Sequence, residues 1–81
     1  MRYMNKENYE KWRIKGRIYY KIGEDPVSPE DRCIASEIWR IKNVAGEHFR
    51  MIIRSGKHST YTLYNSKDTM VFRTRSIAKV D

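Results

Sequence analysis

Apolar and cationic residues alternate with a period of two along the segment WRIKGRIYYKI, which runs from Trp12 to Ile22. The apolar set comprises Trp12, Ile14, Ile18, Tyr20 and Ile22, and the other set comprises Arg13, Lys15, Arg17, Tyr19 and Lys21. Successive side chains of a strand point to opposite faces of a sheet, so this period predicts one half-buried strand over 12–22. Gly16 lies inside that strand and predicts a bulge or a bend.

Similar patterns downstream predict four more strands, over 37–44, 47–54, 59–65 and 69–76. Short segments rich in turn-forming residues separate them, as in consecutive hairpins. The predicted fold class is therefore α+β and sheet-dominated. We expect a curved antiparallel meander of four to five strands with one or two short helices, and a sheet of this kind can close into a small barrel.

Two short helices are expected outside these strands. One is NKENYEK, over 5–11, and the other begins at Ser28 and Pro29, which suit the cap and the first turn of a helix. How far the second helix runs is open, because isoleucines between 34 and 45 fit a helical face while EIWRIKNV favours a strand. We predict a helical turn or two after Pro29 and a strand from about Glu37.

A single basic domain over residues 1–81 is expected from the length of the chain and from its 40% hydrophobic content. A chain of this size buries only about 60–65% of its unfolded surface, which allows one modest core. The large residues predicted to point inward are Trp12, Trp39, Phe49, Met51, Met70 and Phe72. Cys33 is the only cysteine, so a reducing, cytoplasmic location is expected. No apolar run approaches the roughly 18 residues of a membrane span, and no membrane partner is expected.

Charge is the most informative bulk property of the chain. Seventeen Lys and Arg against ten Asp and Glu give a net charge of +7, which favours nucleic acid as a partner and an acidic protein as the second choice. No acid lies within 12–22, 38–43, 48–54 or 70–75, whereas ten cations do. A solvated sheet face usually mixes both signs, because like charges on neighbouring strands repel. An anion is therefore expected to complete this surface, the alternative being a basic face that serves only solubility.

The predicted nucleic-acid-binding surface is the sheet face opposite the large apolar residues. Ten cations would hold phosphates there, and one tyrosine would stack on a base. These residues are Arg13, Lys15, Arg17, Tyr19, Lys21, Arg40, Lys42, Arg50, Arg54, Arg73 and Arg75. The chain has no RNP1-type run, GXXG loop, zinc-finger spacing or basic zipper, so phosphates and shape should lead recognition. RNA or single strands are favoured over duplex DNA, because a sheet surface with aromatic residues suits unpaired bases.

A protein-binding role is a second possibility. Small, Lys- and Tyr-rich single domains are typical of phage accessory proteins, among them inhibitors that bind a nuclease or a nucleoprotein. The acidic segment GEDPVSPED, over 23–31, is the candidate contact of such an inhibitor. A homodimer is also plausible from the sequence, since a small curved sheet leaves edges to cover.

A metal-independent ribonuclease is a third possibility. His48 or His58 with Tyr61 would supply acid–base groups, and Arg54 or Arg73 would stabilise the negative charge of a phosphorane-like transition state. No cofactor and no metal are expected, because the cysteine and the two histidines lack the paired spacing of structural zinc sites.

Overall fold

The computed structural model of the chain describes residues 9–27 and 35–81. Its seven strands are β1 (Glu10–Ile14), β2 (Arg17–Asp25), β3 (Glu37–Asn43), β4 (His48–Arg54), β5 (Thr60–Asn65), β6 (Met70–Thr74) and β7 (Ile77–Val80). They form one antiparallel sheet in the order β6-β5-β4-β3-β2-β1-β7, curled into a half-barrel. The sheet-dominated antiparallel fold is confirmed, although the sheet has more than the four to five strands expected and no helix lies in the described residues.

Four of the predicted strands match β3 to β6 within two residues at each end. The strand that begins at Glu37 is confirmed, whereas the helical turn expected after Pro29 falls on 28–34, outside the described residues. The helix predicted over 5–11 is wrong at its end, because Glu10 and Lys11 lie in β1. The rest of that helix also falls outside the described residues, apart from Tyr9, which lies in a bend.

The segment from Trp12 to Ile22 is a hairpin and not the single strand predicted. Lys15 and Gly16 form its two-residue turn, with φ angles of 53° and 79°, and Ile14 pairs with Arg17 across it. Positive φ at both central positions is what a type I′ turn requires, and this turn matches the twist of the flanking strands. Glycine adopts such a φ without steric cost. Residues paired across the hairpin share a face, so the turn reverses the predicted facing of every residue from Arg17 to Lys21.

The strand β7 has no counterpart in the sequence prediction. It pairs with β1 at one edge of the sheet, yet only two residues separate it from β6 at the other edge. The two edges must therefore approach each other, which explains why the sheet curls. The curl also brings the β1–β2 turn to β6, where Lys15 Nζ lies 5.5 Å from the centre of the Phe72 ring.

The core lies on one face of the sheet, which we call the core face. Its side chains are Ile14, Tyr19, Trp39, Ile41, Met51, Ile53 and Leu63, all buried, and the partly buried Trp12, Phe49, Tyr61, Phe72 and Ile77. The rings of Trp12 and Trp39 are 4.9 Å apart, and Tyr19 meets Phe49 edge-on at 5.7 Å. The inward positions predicted for the two tryptophans, Phe49, Met51 and Phe72 are therefore confirmed.

Outside the segment 12–22, Met70 is the large residue whose predicted inward position is wrong. It pairs with Tyr64 on the opposite face of the sheet and is 53% exposed. The register of β5 and β6 shifts between Leu63 and Tyr64, which leaves Val71 as an extra residue in β6. A bulge of this kind reverses the facing of the residues that precede it.

Candidate nucleic-acid interface

The face of the sheet opposite the core, here called the outer face, carries most of the cations of the strands. Residues paired directly across an antiparallel sheet share a face, so the register gives the assignment. The outer-face cations are Lys11, Arg13, Arg40, Lys42, Arg50, Arg54 and Arg73. Six of them were predicted from the sequence, and Lys11 was missed because its segment was read as a helix.

The other five predicted site residues are not on the outer face. Lys15 is in the β1–β2 turn and Arg75 is in the β6–β7 connection, both exposed. Arg17 is opposite Ile14, and Lys21 is opposite Ile41, so both share the core face. Tyr19 is in the core itself, with 3% of its surface exposed. The turn at Lys15 and Gly16 explains the errors at Arg17, Tyr19 and Lys21, because the predicted single strand would have kept them on the face of Arg13.

Lys21 lies at the border of the core. Its side chain is only 17% exposed and its Nζ is 2.6 Å from Glu24 Oε2. The same ammonium lies 4.2 Å from the centre of the Trp39 ring, an arrangement that attracts the cation to the ring. Trp39 Nε1 in turn donates to Glu37 Oε1 at 2.7 Å. These contacts indicate a structural role for Lys21.

Replacing Lys21 by methionine is expected to lower the free energy of unfolding by about 1–2 kcal/mol, because the contact with Trp39 and the ion pair are lost. RNA affinity should change by less than about twofold, which is small beside the effect of losing a phosphate contact at low salt. Chemical denaturation and fluorescence anisotropy measure the two effects. Lys79→Met is the matched control, since Lys79 is 56% exposed and its Nζ is 3.9 Å from Glu10 Oε2. A loss of RNA affinity without a loss of stability would place Lys21 in the interface.

One row of side chains crosses four strands of the outer face. Lys11 is opposite Tyr20, Tyr20 is opposite Lys42, and Lys42 is opposite His48. We call these four residues the Lys–Tyr row. Strands are about 4.8 Å apart, so the two lysines are separated by about 10 Å with the tyrosine between them. Beside the row, Lys42 Nζ lies 5.6 Å from the centre of the Tyr9 ring.

Tyr20 is the tyrosine that the structure places among cations, in the position the sequence prediction gave to Tyr19. It is partly exposed, and Tyr64 on β5 is a second partly exposed ring on the outer face. The one local signal that could have identified Tyr20 was the Lys15–Gly16 dipeptide read as a turn. Glycine in the second turn position is a feature of tight hairpins.

A pair of arginines faces across β3 and β4 beside the Lys–Tyr row. Arg40 is directly opposite Arg50, an arrangement that is destabilising unless anions compensate it. Arg40 Nε is 3.2 Å from Asp25 Oδ1, and Arg50 Nη2 is 2.5 Å from Asp68 Oδ1. The expectation of uncompensated cations is therefore wrong at this pair, because β2 extends to Asp25 and the β5–β6 turn supplies Asp68.

The remaining outer-face cations have no carboxylate within 4.0 Å among the described residues. They are Lys11, Arg13, Lys42, Arg54 and Arg73. Lys42 is partly exposed and the other four are exposed. Arg73 also donates from Nε to Thr62 Oγ1 at 3.2 Å, which fixes one edge of its guanidinium. Within the part of the chain that the structure describes, five cations on this face thus have no carboxylate partner.

The residues considered for ribonuclease chemistry are dispersed. His48 begins β4 on the outer face, whereas His58 lies beyond the opposite end of that strand. Tyr61 packs against the core and so is on the other side of the sheet from Arg54 and Arg73. Over 9–27 and 35–81, no group of three or more His, Cys, Asp or Glu side chains could hold a metal ion. Cys33 lies outside these ranges.

A groove of about 500 Å³ opens at one end of the half-barrel, between the β1–β2 hairpin and the β3–β4 turn. Tyr19 and Phe49 line it, and Arg17 also contributes to its wall. Two of its other residues, Val44 and Val71, are 60% and 44% exposed. Exposed aliphatic side chains around a groove are a feature of protein-binding surfaces.

The part of the chain that the structure describes contains no helix of the length and apolarity needed to cross a membrane. Comparisons with protein families, with curated proteins and with solved structures found no match.

Proposed function

We propose that this protein binds single-stranded nucleic acid, RNA in preference to DNA, through the outer face of its sheet. The observation that carries the proposal is the Lys–Tyr row, in which a partly exposed tyrosine lies between two lysines on adjacent strands. Proteins that hold single strands combine cations that follow the phosphates with aromatic rings on which bases stack. The row brings both elements together within about 10 Å.

The bases of the bound strand must be unpaired to reach Tyr20. A base stacked on an aromatic side chain contributes about 1–3 kcal/mol, and every base can stack. Lysine attracts a phosphate as a point charge and does not distinguish one base from another. Recognition should therefore depend on charge and on single-strandedness, with little preference for sequence. RNA is the favoured ligand because aromatic residues on sheets are a common means of holding unpaired RNA.

The affinity for single-stranded RNA should fall about 100-fold between 50 and 200 mM salt. This estimate takes one phosphate for each of the five outer-face cations that have no carboxylate partner within 9–27 and 35–81, and a slope of about −0.7 per phosphate on single strands. Fluorescence anisotropy with a labelled oligonucleotide measures it, with single-stranded DNA and duplex RNA as comparisons. An affinity that does not change with salt would contradict the proposal, and equal affinity for duplex RNA would contradict stacking on Tyr20.

An acidic protein partner is the second candidate, and the groove with its exposed Val44 and Val71 is the observation that favours it. Arg17 beside this groove would face an acidic side chain of such a partner. The acidic-protein hypothesis replaces the nucleic-acid hypothesis if the protein forms a complex with another protein that survives both nuclease and high salt. That complex should be lost in the variant Val44→Asp. The same variant should leave RNA binding unchanged, because Val44 is in the β3–β4 turn, outside the Lys–Tyr row.

A further inference from the structure

A pocket of about 330 Å³ is lined by Arg40 and Arg50 of the outer face, and it extends past Phe49 at the start of β4. Asp25 and Asp68, the partners of the two arginines, are at its margin, and His48, Asn65 and Ser66 also line it. Arginine presents its donors in a planar fork, and two forks that face each other can bind several oxygens of one anion. The pocket therefore has the donor chemistry of a phosphate site.

Gly23 sets the position of the Arg40 guanidinium. It lies at a bulge in β2, where the register with β3 shifts between Lys21 and Gly23. A Cβ atom on Gly23 would be 2.5 Å from Arg40 Nη2 and 3.1 Å from its Cζ, and the first of these distances is too short for a carbon atom that makes no bond to the guanidinium. The absence of a side chain thus lets the guanidinium lie directly over the β2 backbone, where Asp25 contacts it.

The β5–β6 turn sets the position of Arg50. Asn65 Oδ1 accepts hydrogen bonds from the backbone N–H groups of Lys67 and Thr69, at 2.9 and 3.0 Å. Asp68 in this turn has a φ of 63°, a conformation that aspartate tolerates better than most residues. Arg50 Nε is buried and is the one buried side-chain nitrogen or oxygen of the described residues with no hydrogen-bond partner. Asp68 and the turn that holds it thus fix the Arg50 guanidinium beside the pocket.

The balance of charge indicates which anion suits the pair. The carboxylates of Asp25 and Asp68 neutralise the two guanidinium groups. If an anion with a single charge displaced both carboxylates, one arginine would be left without a compensating charge. A phosphate monoester has a charge of about −1.5 to −2 at pH 7 and three strong acceptor oxygens, so it can replace both carboxylates. The displaced side chains of Asp25 and Asp68 are 40% and 71% exposed. Releasing these carboxylates to water should cost little, because exposed ion pairs contribute little to stability.

The pair is placed next to the Lys–Tyr row. Arg40 and Arg50 are each two residues from a member of the row on the same strand and on the same face, namely Lys42 and His48. Two residues along a strand span about 7 Å. We propose that Arg40 and Arg50 bind the terminal phosphate monoester of the strand whose bases lie along the row. This inference rests on the proposed function and adds that the protein recognises phosphorylated ends.

The test compares one short single-stranded RNA in three forms: with a 5′-phosphate, with a 3′-phosphate and with hydroxyls at both ends. One phosphorylated form should bind about tenfold more tightly than the hydroxyl form at constant salt, since charge-assisted bonds to arginine are stronger than neutral ones. The form that gains affinity identifies the polarity of the bound strand. Equal affinities for all three forms would overturn the inference.

Three variants test whether the preference for a phosphorylated end depends on Arg40 and Arg50. Arg50→Gln should abolish the preference for the phosphorylated end, because one fork is removed. Gly23→Ala should reduce it several-fold while both charges are kept, because the new Cβ displaces the Arg40 guanidinium. Arg54→Gln is the matched control on the same strand and face. This variant should weaken the binding of all three RNA forms equally and leave the preference for the phosphorylated end unchanged. If Arg54→Gln alone removed that preference, the assignment of the site to the arginine pair would be contradicted.

The failure of this inference can be distinguished from the failure of the proposed function. If all RNA forms bind with salt-dependent but equal affinity, the function stands and the end-recognition site is wrong. If no RNA form binds at 50 mM salt, the function is wrong. In that case a titration of the protein with inorganic phosphate, followed by NMR of the arginine side chains, decides the site. Shifts confined to Arg40 and Arg50 would support it as a phosphate site, and no shift at millimolar phosphate would reject it.

Discussion

Reversing two charges in the Lys–Tyr row, as Lys11→Glu with Lys42→Glu, is expected to weaken the binding of single-stranded RNA by a few hundred-fold at 50 mM salt. Counterion release makes each phosphate contact worth roughly eightfold at this salt concentration, so losing two contacts costs about 60-fold. Repulsion between the new carboxylates and the phosphates increases the loss. The salt slope should also become shallower by about 1.4 units, since two contacts disappear.

Anisotropy titrations at several salt concentrations measure both effects. The matched control is Arg17→Glu with Lys57→Glu, which makes the same change in net charge away from the outer face. Both residues are exposed, one beside the β1–β2 turn and the other in the β4–β5 connection. We expect the control to lose only a few-fold in affinity. If it loses as much as the row variant, binding is a general effect of net charge and the Lys–Tyr row has no special part in it.

Replacing Trp39 by alanine is expected to lower the free energy of unfolding by about 3–5 kcal/mol, the usual cost of truncating a buried aromatic residue. The Trp39 ring packs on Trp12 at 4.9 Å and carries the Lys21 ammonium on its face. The substitution removes both contacts and leaves Glu37 without its indole donor. A domain of this length is stable by only about 4–12 kcal/mol, so a large share of the total is lost.

Thermal unfolding followed by circular dichroism measures this effect. The midpoint of unfolding falls about 4–8 °C for each kcal/mol in a domain of this size, so we expect a decrease of about 12–40 °C. Val44→Ala is the control, because Val44 is 60% exposed and exposed substitutions change stability by about 0.5 kcal/mol or less. A decrease of less than about 5 °C for Trp39→Ala would show that the core does not depend on this ring.

The strands β3 to β5 could be predicted because their large residues follow one alternation from end to end, and β6 could be predicted because its alternation holds from Phe72 onward, after the bulge at Val71. Trp39, Phe49 and Phe72 identify the inward face of β3, β4 and β6, and the cations of these strands then fall on the outer face. The segment 12–22 could not be predicted in this way, because Lys15 and Arg17 continue the alternation through a turn. The four residues of β7 carry too short a pattern to be recognised, and their pairing with β1 depends on the curl of the whole sheet.

The candidate site was predictable only where it depends on the facing of single strands. Arg40, Lys42 and Arg50 were placed on one face from their neighbours in the sequence. The contacts between strands were not predictable, because they depend on a register that the bulge before Gly23 shifts by one residue. The bulge brings Asp25 to Arg40, whereas the β5–β6 turn supplies Asp68 and the β1–β2 turn places Tyr20 between two lysines. These features therefore became apparent only in the structure.

The pairing of β7 with β1 has a consequence for how the chain folds. Ile14 and Ile77 are partners although 63 positions separate them in the sequence, whereas the other pairings join strands that are adjacent in the chain. Closing so long a loop costs entropy before any contact compensates for it, and contacts of this kind slow folding. The hairpins between β2 and β6 should therefore form first, with the β1–β7 ladder last. During synthesis β1 remains an unprotected edge until β7 has left the ribosome, which is the period in which the nascent chain is most exposed to aggregation.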